Sequence, residues 1–254
     1  MDRSFILFWQ YKFSNLISLI NIMRKYMSKQ PDDIRFMFNL IAHRYNLMNS
    51  LITFGYDKYW RRTLLNQTRL PNNGRVLDIG TGTGDLSLKI VSDNTDIMCV
   101  GADFSENMLN VARARSNADS VCWLAADSLS LSFQNNSFDV VMSAFLLRNV
   151  GNVTSALKEQ YRVLNKGGNL LCLDTSPFRQ TWLRSMLKPY FFGVIPLLGQ
   201  LISGHGAAYK YLFESTAKFL SAEDLAALMS SIGFRNVGFS KVMLGSVAFH
   251  WGMK

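Results

Sequence analysis

The sequence predicts an α/β fold with a doubly wound, mostly parallel sheet. An apolar run from Val76 to Ile79 leads directly into three glycines spaced two apart, Gly80, Gly82 and Gly84, and a helical pattern follows at once. Further strand-like and helix-like segments then alternate along the chain, which is typical of a parallel sheet covered by helices. A strand, a glycine turn and a helix N-terminus together form a ligand pocket at the carboxyl edge of such a sheet.

The glycine pattern also limits the kind of ligand. Counted from Gly80, a dinucleotide fingerprint of the form G-x-G-x-x-G needs glycine at position 85, and the chain has Asp85 there. An acidic helix start disfavours a pyrophosphate, so the pocket suits a positively charged ligand without phosphate, such as S-adenosylmethionine. We expect Gly80 to let the backbone approach that ligand, and Asp78 and Asp85 to face its cationic end. The alternative is an ordinary glycine turn in which Asp85 stabilises the helix N-terminus.

Length and composition are those of one domain with a large core. The chain has 254 residues, of which 48% are hydrophobic, and one α/β domain accounts for that length. The three cysteines, Cys99, Cys122 and Cys172, lie in apolar, strand-like stretches without metal-ligand spacing. They predict free, buried thiols in a reducing compartment. Because the three histidines are scattered along the chain, we expect no metal site.

The net charge limits the partners less sharply. A formal charge of +9 is compatible with nucleic acid, with an anionic membrane surface or with no specific partner. No basic run reaches about five residues, so we expect no nucleic-acid partner. No stretch reaches the roughly 18 consecutive apolar residues of a membrane span, so a conventional span is not predicted.

The first 27 residues form an N-terminal extension to a single predicted domain at 28–254. The extension combines two apolar clusters with scattered basic residues. Three interpretations stay open: a membrane-surface helix, a targeting segment, or residues foreign to the fold that precede a true start at Met23 or Met27.

A helical cap is predicted ahead of the glycine turn. Ile34, Met37, Phe38 and Ile41 recur at helical spacing and form one apolar face. The stretch 45–60 that follows is rich in aromatic residues and asparagine. It either covers the edge of the sheet or provides walls for a flat ring substrate, and periodicity does not choose between the two.

Two aspartates end the next predicted strands. Asp103 follows the strand 97–102 and lies 21 residues beyond Gly82, an offset at which a carboxylate accepts hydrogen bonds from ribose hydroxyls. Asp127 follows the strand 121–125, from which its carboxylate can accept a hydrogen bond from an adenine amine. The alternatives are a helix cap for Asp103 and a turn aspartate for Asp127.

The fourth predicted strand, 138–145, ends next to Arg148. Ligands of open α/β sheets bind beyond the carboxyl ends of the strands, so Arg148 is predicted to lie near the chemistry. The alternative is a solvated arginine. A helix over 154–164 and a Lys-Gly-Gly turn lead into a fifth strand, 169–173.

The segment 178–203 is apolar, with basic residues between its large side chains. It is too interrupted to span a bilayer, and we interpret it as an apolar lid able to meet a membrane or a greasy substrate. A core helix pair is the alternative. The lid with its continuation covers about 178–218, a capped helix follows Ser221, and 236–251 predicts a final hairpin at the sheet edge.

Seven stretches carry a resemblance to one family. They are Met37–Asn49, Val76–Asp85, Gly101–Leu109, Asn136–Asp139, Leu147–Val150, Tyr161–Leu164 with Gly167 and Gly168, and Tyr209–Ser215. From about Asp32 onward the chain resembles the quinone-ring C-methyltransferases of menaquinone and ubiquinone biosynthesis, which are class I S-adenosylmethionine-dependent methyltransferases. The glycine motif alone indicates only that superfamily, and the combination is far more specific.

The resemblance implies a seven-stranded, Rossmann-like sheet with a helical lid and S-adenosylmethionine as methyl donor, without a metal. By residue-level match it implies cofactor contacts at Thr83, Asp103, Asp127 and Ser128. The implied acceptor is a prenylated quinol, reached by a peripheral enzyme at the inner face of the cytoplasmic membrane. The location is organellar instead if the extension is a targeting segment. A homodimer or a biosynthetic complex is compatible with the resemblance.

Within this reaction Arg148 is predicted to face the phenolate charge that develops as a ring carbon attacks the sulfonium methyl. No general base is assigned, and His43 and Tyr45 are weaker candidates. Asp57 stands where ubiquinone-type relatives tend to carry His. This favours demethylmenaquinol as the acceptor over 2-methoxy-6-polyprenyl-1,4-benzoquinol, which stays open as the alternative.

Departures from the family concern the acceptor side more than the donor side. Ala144 stands where the family has a serine that contacts the cofactor, and Leu146 stands where it has glycine. Asn46 and Asp174 stand where it usually has Asp and Glu. A catalytically weak scaffold in a membrane-surface complex is therefore one rival interpretation. A nicotinamide reductase is another, although Asp85 breaks its glycine pattern.

Overall fold

Seven strands form one sheet in the computed structural model, which describes residues 30–68, 70–178 and 181–254 without the side chains of Thr181, Leu183 and Arg184. The strands are β1 (Arg75–Ile79), β2 (Met98–Asp103), β3 (Val121–Ala125), β4 (Phe138–Ala144), β5 (Leu164–Thr175), β6 (Arg235–Val242) and β7 (Val247–Met253). Their order is β3-β2-β1-β4-β5-β7-β6, with β1 to β5 parallel and β7 antiparallel to both neighbours. This confirms the predicted fold class, while the extension 1–27 lies outside the described residues.

The order in which strands are added to the sheet reverses between β3 and β4, while the strands themselves stay parallel. It runs outward from β1 through β2 to β3 and then returns to place β4 on the other side of β1. Val76 of β1 accordingly lies in register with Cys99 of β2 and with Val140 of β4. Such a reversal opens a crevice at the carboxyl ends of the two central strands, and doubly wound sheets bind ligands there.

Helices cover both faces and the carboxyl edge of the sheet. They are α1 (Pro31–Ile41), α2 (Tyr45–Ile52), α3 (Tyr56–Leu65), α4 (Asp85–Asp93), α5 (Glu106–Arg113), α6 (Val153–Val163), α7 (Thr181–Pro189), α8 (Ile195–Ser203), α9 (Gly206–Ala217) and α10 (Ala222–Ile232). Helices α6 and α10 pack on one face of the sheet, and α3 and α4 pack on the other. The remaining apolar cluster joins α1 and α2 to α8 and α9 above the sheet edge.

Side chains of β1 and β4 point alternately to the two faces of the sheet, so each face has its own apolar core. Leu77 and Val141 pack with α6 and α10, whereas Val76 and Val140 pack with α3 and α4. Successive side chains of a strand point to opposite faces, so a central parallel strand must be apolar at nearly every position. Asp78 breaks this run and is nevertheless buried, which marks it as a residue with a function other than packing.

Side-chain caps begin three helices, one of which the sequence predicts. Ser221 Oγ accepts a hydrogen bond from the Asp224 amide at the start of α10, as the sequence predicts. Ser105 and Asn152 cap α5 and α6 in the same way. Strand β5 starts at Leu164, earlier than predicted, because the chain pairs with β4 before the bulge that precedes Val140.

The lid is formed by α7, a π-helical turn at Tyr190–Val194, and α8. Within the described residues, Ser185–Ser203 is a helical run whose length and mean hydropathy of 1.2 are sufficient for a membrane crossing, and 11% of that window is buried. The sequence indicates that this segment is too interrupted to span a bilayer, but its helical run is continuous from Ser185 to Ser203. The π-helical turn carries the helix through both prolines, since Pro189 ends one helix and Pro196 lies in the first turn of the next.

Two of the three cysteines are buried and one is not. Cys99 and Cys172 lie in the core, and burial raises the pKa of each thiol to about 12. Cys122 is exposed, which corrects the prediction that all three are buried. Strand β3 is an edge strand that pairs only with β2, and an apolar sequence pattern does not distinguish an edge strand from a central one.

Candidate functional site

Two cavities adjoin at the carboxyl ends of β1 and β4. The larger, about 760 Å³ with its open mouth, extends from β1 over the ends of β2 and β3, and the smaller, about 310 Å³, lies above the glycine turn. The residues that line both cavities are Tyr45, Gly80, Gly82 and Ala144. These shared residues mark the point where the two cavities meet.

The glycine turn has the conformation that its sequence predicts. Gly80, Gly82 and Gly84 have φ values of +68°, +57° and +82°, a region that side chains with a Cβ rarely adopt. The Gly82 amide donates to Asp103 Oδ2 at 2.8 Å. This bond ties the turn after β1 to the end of β2 and fixes the floor of the larger cavity.

Asp103, Asp127 and Ser128 come together on the wall of the larger cavity, as their strand ends predict. Asp103 is buried and also accepts a hydrogen bond from the Ser105 amide at 2.8 Å. Burial raises the pKa of Asp103 to about 6. Asp127 is exposed and accepts from the Leu129 amide at 2.9 Å, so its carboxylate retains acceptor capacity towards the cavity.

Asp78 lies on the wall of the smaller cavity and is 1% exposed. Its Oδ2 accepts hydrogen bonds from the Thr81 and Ser87 hydroxyls, both at 2.7 Å, while its Oδ1 has no hydrogen-bond partner among the described residues. Burial raises the pKa of this carboxyl. A buried carboxylate oxygen without a partner is costly unless a ligand satisfies it, so Asp78 fits a cationic group bound in this cavity.

Asp85 lies at the same cavity, but arginines bind both of its oxygens. Arg115 pairs with Oδ1, and Arg61 Nη2 lies 3.9 Å from Oδ2. Arg61 is buried, lines the cavity and also pairs with Asp57 at 3.0 Å. The cavity therefore offers a guanidinium as well as carboxylates, which suits the carboxylate and ammonium groups of an amino acid.

Thr83 links the glycine turn to the cap. It is buried, lines the smaller cavity and donates its hydroxyl hydrogen to Asn46 Oδ1 at 2.5 Å. Asn46 Nδ2 in turn lies 3.4 Å from Asp85 Oδ1. A residue of α2 thus closes the hydrogen-bond network of the turn.

Arg148 is not among the residues that line the two cavities, and its predicted place beside the acceptor stays a prediction. It is 6% exposed, and its Nη1 lies 2.7 Å from Asp174 Oδ1 on β5. The 3-10 turn Leu147–Asn149 aims this side chain back towards the sheet, whereas Leu146 and Asn149 on either side line the larger cavity. Arg148 does lie just beyond the end of β4, as its position in the sequence predicts.

Two contributors to the site were missed from the sequence. Arg61 lies in the aromatic cap, and its helical spacing from Asp57 was the signal that could have indicated a buried pair. Phe145 follows β4 directly and lines the larger cavity. No group of three metal-ligating side chains occurs within the described ranges 30–68, 70–178 and 181–254.

Comparison with known proteins decides which family has this site. The model of the ubiE/COQ5 methyltransferase family matches residues 25–254. The chain belongs to this family. It is 42% identical over 228 residues to the ubiquinone/menaquinone biosynthesis C-methyltransferase UbiE of Desulfotalea psychrophila, covering 90% of this chain and 92% of that protein. It is 41% identical over 218 residues to the demethylmenaquinone methyltransferase of Thermus thermophilus, covering 85% and 99%.

Solved structures show the same fold at greater distance. A possible histamine N-methyltransferase from Thermotoga maritima has a TM-score of 0.62 at 22% identity and covers 86% of this chain and 99% of its own. A phosphoethanolamine N-methyltransferase from Haemonchus contortus, solved with S-adenosylmethionine, has a TM-score of 0.58 at 16% identity and covers 77% and 52%. The ubiE/COQ5 member described here is accordingly an S-adenosylmethionine-dependent methyltransferase of quinone biosynthesis.

Proposed function

We propose that this ubiE/COQ5 member methylates a ring carbon of a prenylated quinol and that demethylmenaquinol is its principal acceptor. The observation that carries the choice of acceptor is the wall formed by Ala144, Phe145 and Leu146, which lies at and beside the junction of the two cavities and has no polar side chain. A fused bicyclic ring presents more apolar surface than a methoxylated benzoquinol ring, and apolar surface gains most from such a wall.

The donor half of the proposal rests on the residues that fit S-adenosylmethionine. This co-substrate supplies a transferable methyl group on a sulfonium centre when it is bound. Asp103, Asp127 and Ser128 are suited to the adenosyl part, and Asp78 and Arg61 are suited to the amino-acid part. The methyl group would then lie near the residues that both cavities share.

Polar groups at the junction are suited to orient the acceptor. Tyr45 lines both cavities, and Asn149 lines the larger one. Asn149 Nδ2 donates to the Phe145 carbonyl at 3.0 Å, and its buried Oδ1 has no hydrogen-bond partner in the described part of the chain. We assign to this oxygen the hydrogen bond from a quinol hydroxyl, which holds the ring carbon in line with the methyl group.

The surface around the lid supports access from a membrane. Trp182, Met186, Leu197 and Leu201 of the lid are 59–74% exposed. The cap adjoins this surface, because the Phe54 ring stacks on Tyr190 with centroids 6.4 Å apart. We call these six side chains the apolar surface.

An apolar surface of this kind is typical of a membrane or protein contact. The cap and the lid, which carry the apolar surface, also carry the exposed basic residues Arg44, Lys58, Arg62 and Lys188. Basic side chains beside exposed aromatic and aliphatic ones favour an anionic lipid surface. We therefore propose a peripheral enzyme that takes its prenylated acceptor from the bilayer, rather than one that meets the quinol in solution.

The deciding experiment is methyl transfer from labelled S-adenosylmethionine to chemically reduced demethylmenaquinol in detergent. A prenylated methoxybenzoquinol is the parallel acceptor, and the oxidised naphthoquinone is the control. We expect transfer to the naphthoquinol with a kcat/KM at least about tenfold above that of the benzoquinol, as one well-placed apolar contact difference allows. The oxidised ring lacks the hydroxyl that donates to Asn149 and should accept no methyl group.

The second candidate acceptor is the benzoquinol of ubiquinone biosynthesis. The Desulfotalea psychrophila relative carries a name that covers both pathways, which favours this candidate. Equal kcat/KM values for the two quinols would replace the proposal with a dual-acceptor enzyme. S-adenosylmethionine binding without transfer to either quinol would favour the scaffold interpretation, and tight binding of NADPH in its place would favour a reductase.

A further inference from the structure

Phe145 has a backbone conformation that is unusual for an aromatic residue. Its φ is +61°, in the left-handed region, and such conformations persist in bulky residues only where the surroundings hold them. The Phe145 amide donates to the Leu173 carbonyl at 2.7 Å, and its own carbonyl accepts from Asn149 at 3.0 Å. Hydrogen bonds thus hold both the amide and the carbonyl group of Phe145 at the point where the chain leaves β4 and begins to line the larger cavity.

Two buried arginines hold the Phe145 ring. The Arg148 Cζ atom lies 5.1 Å from the ring centroid, and the Arg61 Cζ atom lies 5.5 Å from it. Trp60 adds an edge contact, with centroids 6.3 Å apart and an interplanar angle of 60°. Cation–π contacts are strongest where the cation is shielded from water, and both guanidiniums are buried.

Each arginine is itself fixed by a buried carboxylate. Asp174 of β5 binds Arg148 at 2.7 Å, and Asp57 of α3 binds Arg61 at 3.0 Å. The ring is thus connected to two separate elements, the sheet on one side and the cap on the other. A single side chain on a loop would not need two ion pairs to stay in the cavity wall.

We propose that Phe145 is the surface against which the acceptor ring is aligned for methyl transfer, and that the Arg148–Asp174 and Arg61–Asp57 pairs are positioning groups that hold it. The inference rests on the proposed function for the identity of the acceptor. Phe145 lies between Ala144, at the junction of the cavities, and Leu146, which packs over Gly80. It is therefore next to the place where the reacting atoms meet.

The charge distribution assigns this wall to the neutral acceptor rather than to the donor. A ring that already attracts two guanidiniums has little remaining attraction for a third cation such as a sulfonium. A flat neutral ring, in contrast, gains contact area and loses orientational freedom against a rigid wall. Removing the Phe145 ring should therefore affect acceptor kinetics far more than donor binding.

The same geometry gives Arg148 an indirect role. Its guanidinium lines neither cavity, and Asp174 neutralises its charge. Among the described contacts, the one with the Phe145 ring connects Arg148 to the cavity wall, and the buried Arg148 Nε has no hydrogen-bond partner within the described residues. Replacing Arg148 should then change the rate only while that ring is present.

A double-mutant cycle tests this dependence with the full-length protein. The variants are Phe145→Leu, Arg148→Lys and their combination, with Asp174→Asn as a second way to disturb Arg148 if the first folds poorly. For each variant we would measure the Kd of S-adenosylhomocysteine by calorimetry, and kcat and KM for demethylmenaquinol. The Kd for the oxidised short-chain naphthoquinone in the presence of S-adenosylhomocysteine adds a readout that needs no turnover.

We expect Phe145→Leu to lower kcat by about 10- to 100-fold through misalignment, with the S-adenosylhomocysteine Kd changed less than about threefold. Arg148→Lys should lower kcat by about tenfold alone and by less than about twofold in the Phe145→Leu background. Additive losses in the double variant would overturn the proposal, because they would mean that Arg148 acts on the reactants without the ring. A tenfold loss of S-adenosylhomocysteine affinity in Phe145→Leu would overturn it too, by assigning the ring to the donor.

Failure of the proposed function is recognised separately in the wild-type protein. Absence of transfer to any quinol by the wild-type chain would reject the acceptor while leaving the cycle measurable through naphthoquinone binding. Coupled losses of that binding in the single variants, and no further loss in the double variant, would still support Phe145 as the wall. Unchanged naphthoquinone binding in Phe145→Leu would reject it.

Discussion

The donor and acceptor sides of this site are built in different ways. On the donor side, polar groups from consecutive strand ends meet each other, and Gly82, Asp103 and Ser105 are joined by hydrogen bonds of 2.8 Å. On the acceptor side, apolar side chains of the cap and of the loop after β4 line the larger cavity, and the lid packs against the cap. Hydrogen bonds are directional, so they fix the donor side before any ligand binds. Apolar contacts depend on buried area rather than on direction, so the acceptor side is less precisely fixed. We therefore expect substitutions on the two sides to separate cleanly into donor-binding and acceptor-binding effects.

The largest effect should come from Asp103→Ala. The substitution removes the carboxylate that is suited to two ribose hydroxyls and leaves the Gly82 and Ser105 amides without their acceptor. Loss of hydrogen bonds to a charged group at about 1.5–3 kcal/mol each predicts at least a 100-fold rise in the S-adenosylmethionine Kd. Calorimetry measures it, with Asp119→Ala, an exposed aspartate that lines neither cavity, as the matched control. Donor affinity within threefold of wild type would contradict the assignment of Asp103.

Adding negative charge to the lid should give the next largest effect. We expect it to weaken membrane binding without changing donor binding. Leu197→Asp with Leu201→Asp removes two exposed apolar side chains from the apolar surface. Loss of about 1.5–3 kcal/mol per buried leucine predicts a drop of at least tenfold in binding to anionic lipid vesicles. Flotation measures binding, and the S-adenosylmethionine Kd should stay unchanged.

The control for the lid is Met98→Asp, an equally apolar and exposed position at the start of β2. It lies at the opposite, amino end of the parallel strands and should leave vesicle binding as in the wild type. Equal losses in the two variants would mean that net charge, rather than the lid, governs the interaction.

A smaller and distinctive effect concerns pH. Burial raises the pKa of Asp103 from 3.8 to about 6, so the free protein holds this proton between those values while the unfolded chain does not. Its contribution to folding stability is therefore fully present below about pH 3.8 and is lost as pH rises through about 6. Donor binding has the opposite dependence, because ribose hydroxyls favour the ionised carboxylate. We expect ionisation of Asp103 to contribute a fall of about tenfold in the S-adenosylmethionine association constant from pH 7 to pH 5. Asp103→Asn should remove this contribution and leave only the pH dependence of other donor-site groups such as Asp78, whose pKa is also raised by burial.

The smallest predicted effect lies at a hydrogen bond that links the cap to the donor turn. Asn46→Ala removes the acceptor for the Thr83 hydroxyl, a partner that the cap supplies to the donor turn. A net loss of about 1 kcal/mol predicts a two- to fivefold weaker S-adenosylmethionine Kd. Asn46→Asp restores an acceptor and serves as the rescue variant. A loss above about 50-fold would mean that the cap, rather than the glycine turn, holds the donor.

The same division explains what could be predicted from the sequence. The glycine turn and the helix cap at Ser221 are local, because residues a few positions apart determine backbone conformation and hydrogen bonding. Asp103 lies 21 residues from its partner Gly82, and its place at the end of a strand was enough to predict it. Arg148 lies at the predicted strand end, but its buried ion pair could not be predicted from spacing. Its direction depends on Asp174, a partner 26 positions away on another strand.

Tertiary structure also explains the two other differences from the sequence prediction, the exposure of Cys122 and the continuity of the lid helices. Cys122 is exposed because β3 lies at the edge of the sheet. The residues of a strand do not by themselves determine its position in the sheet. The continuity of α7 and α8 depends on a π-helical turn, which an apolar pattern broken by prolines does not reveal. Arg61 was missed because its role arises from Asp57, Asp85 and Phe145 together.

The exposed thiol on β3 has a practical consequence. The two other cysteines of the chain are buried with pKa values of about 12, and thiols react as thiolates. A maleimide fluorophore at neutral pH should therefore attach to Cys122 alone in the unmodified protein. That label would sit on the edge strand of the sheet, a fixed reference from which energy transfer to labelled lipids reports how the molecule is oriented on a bilayer.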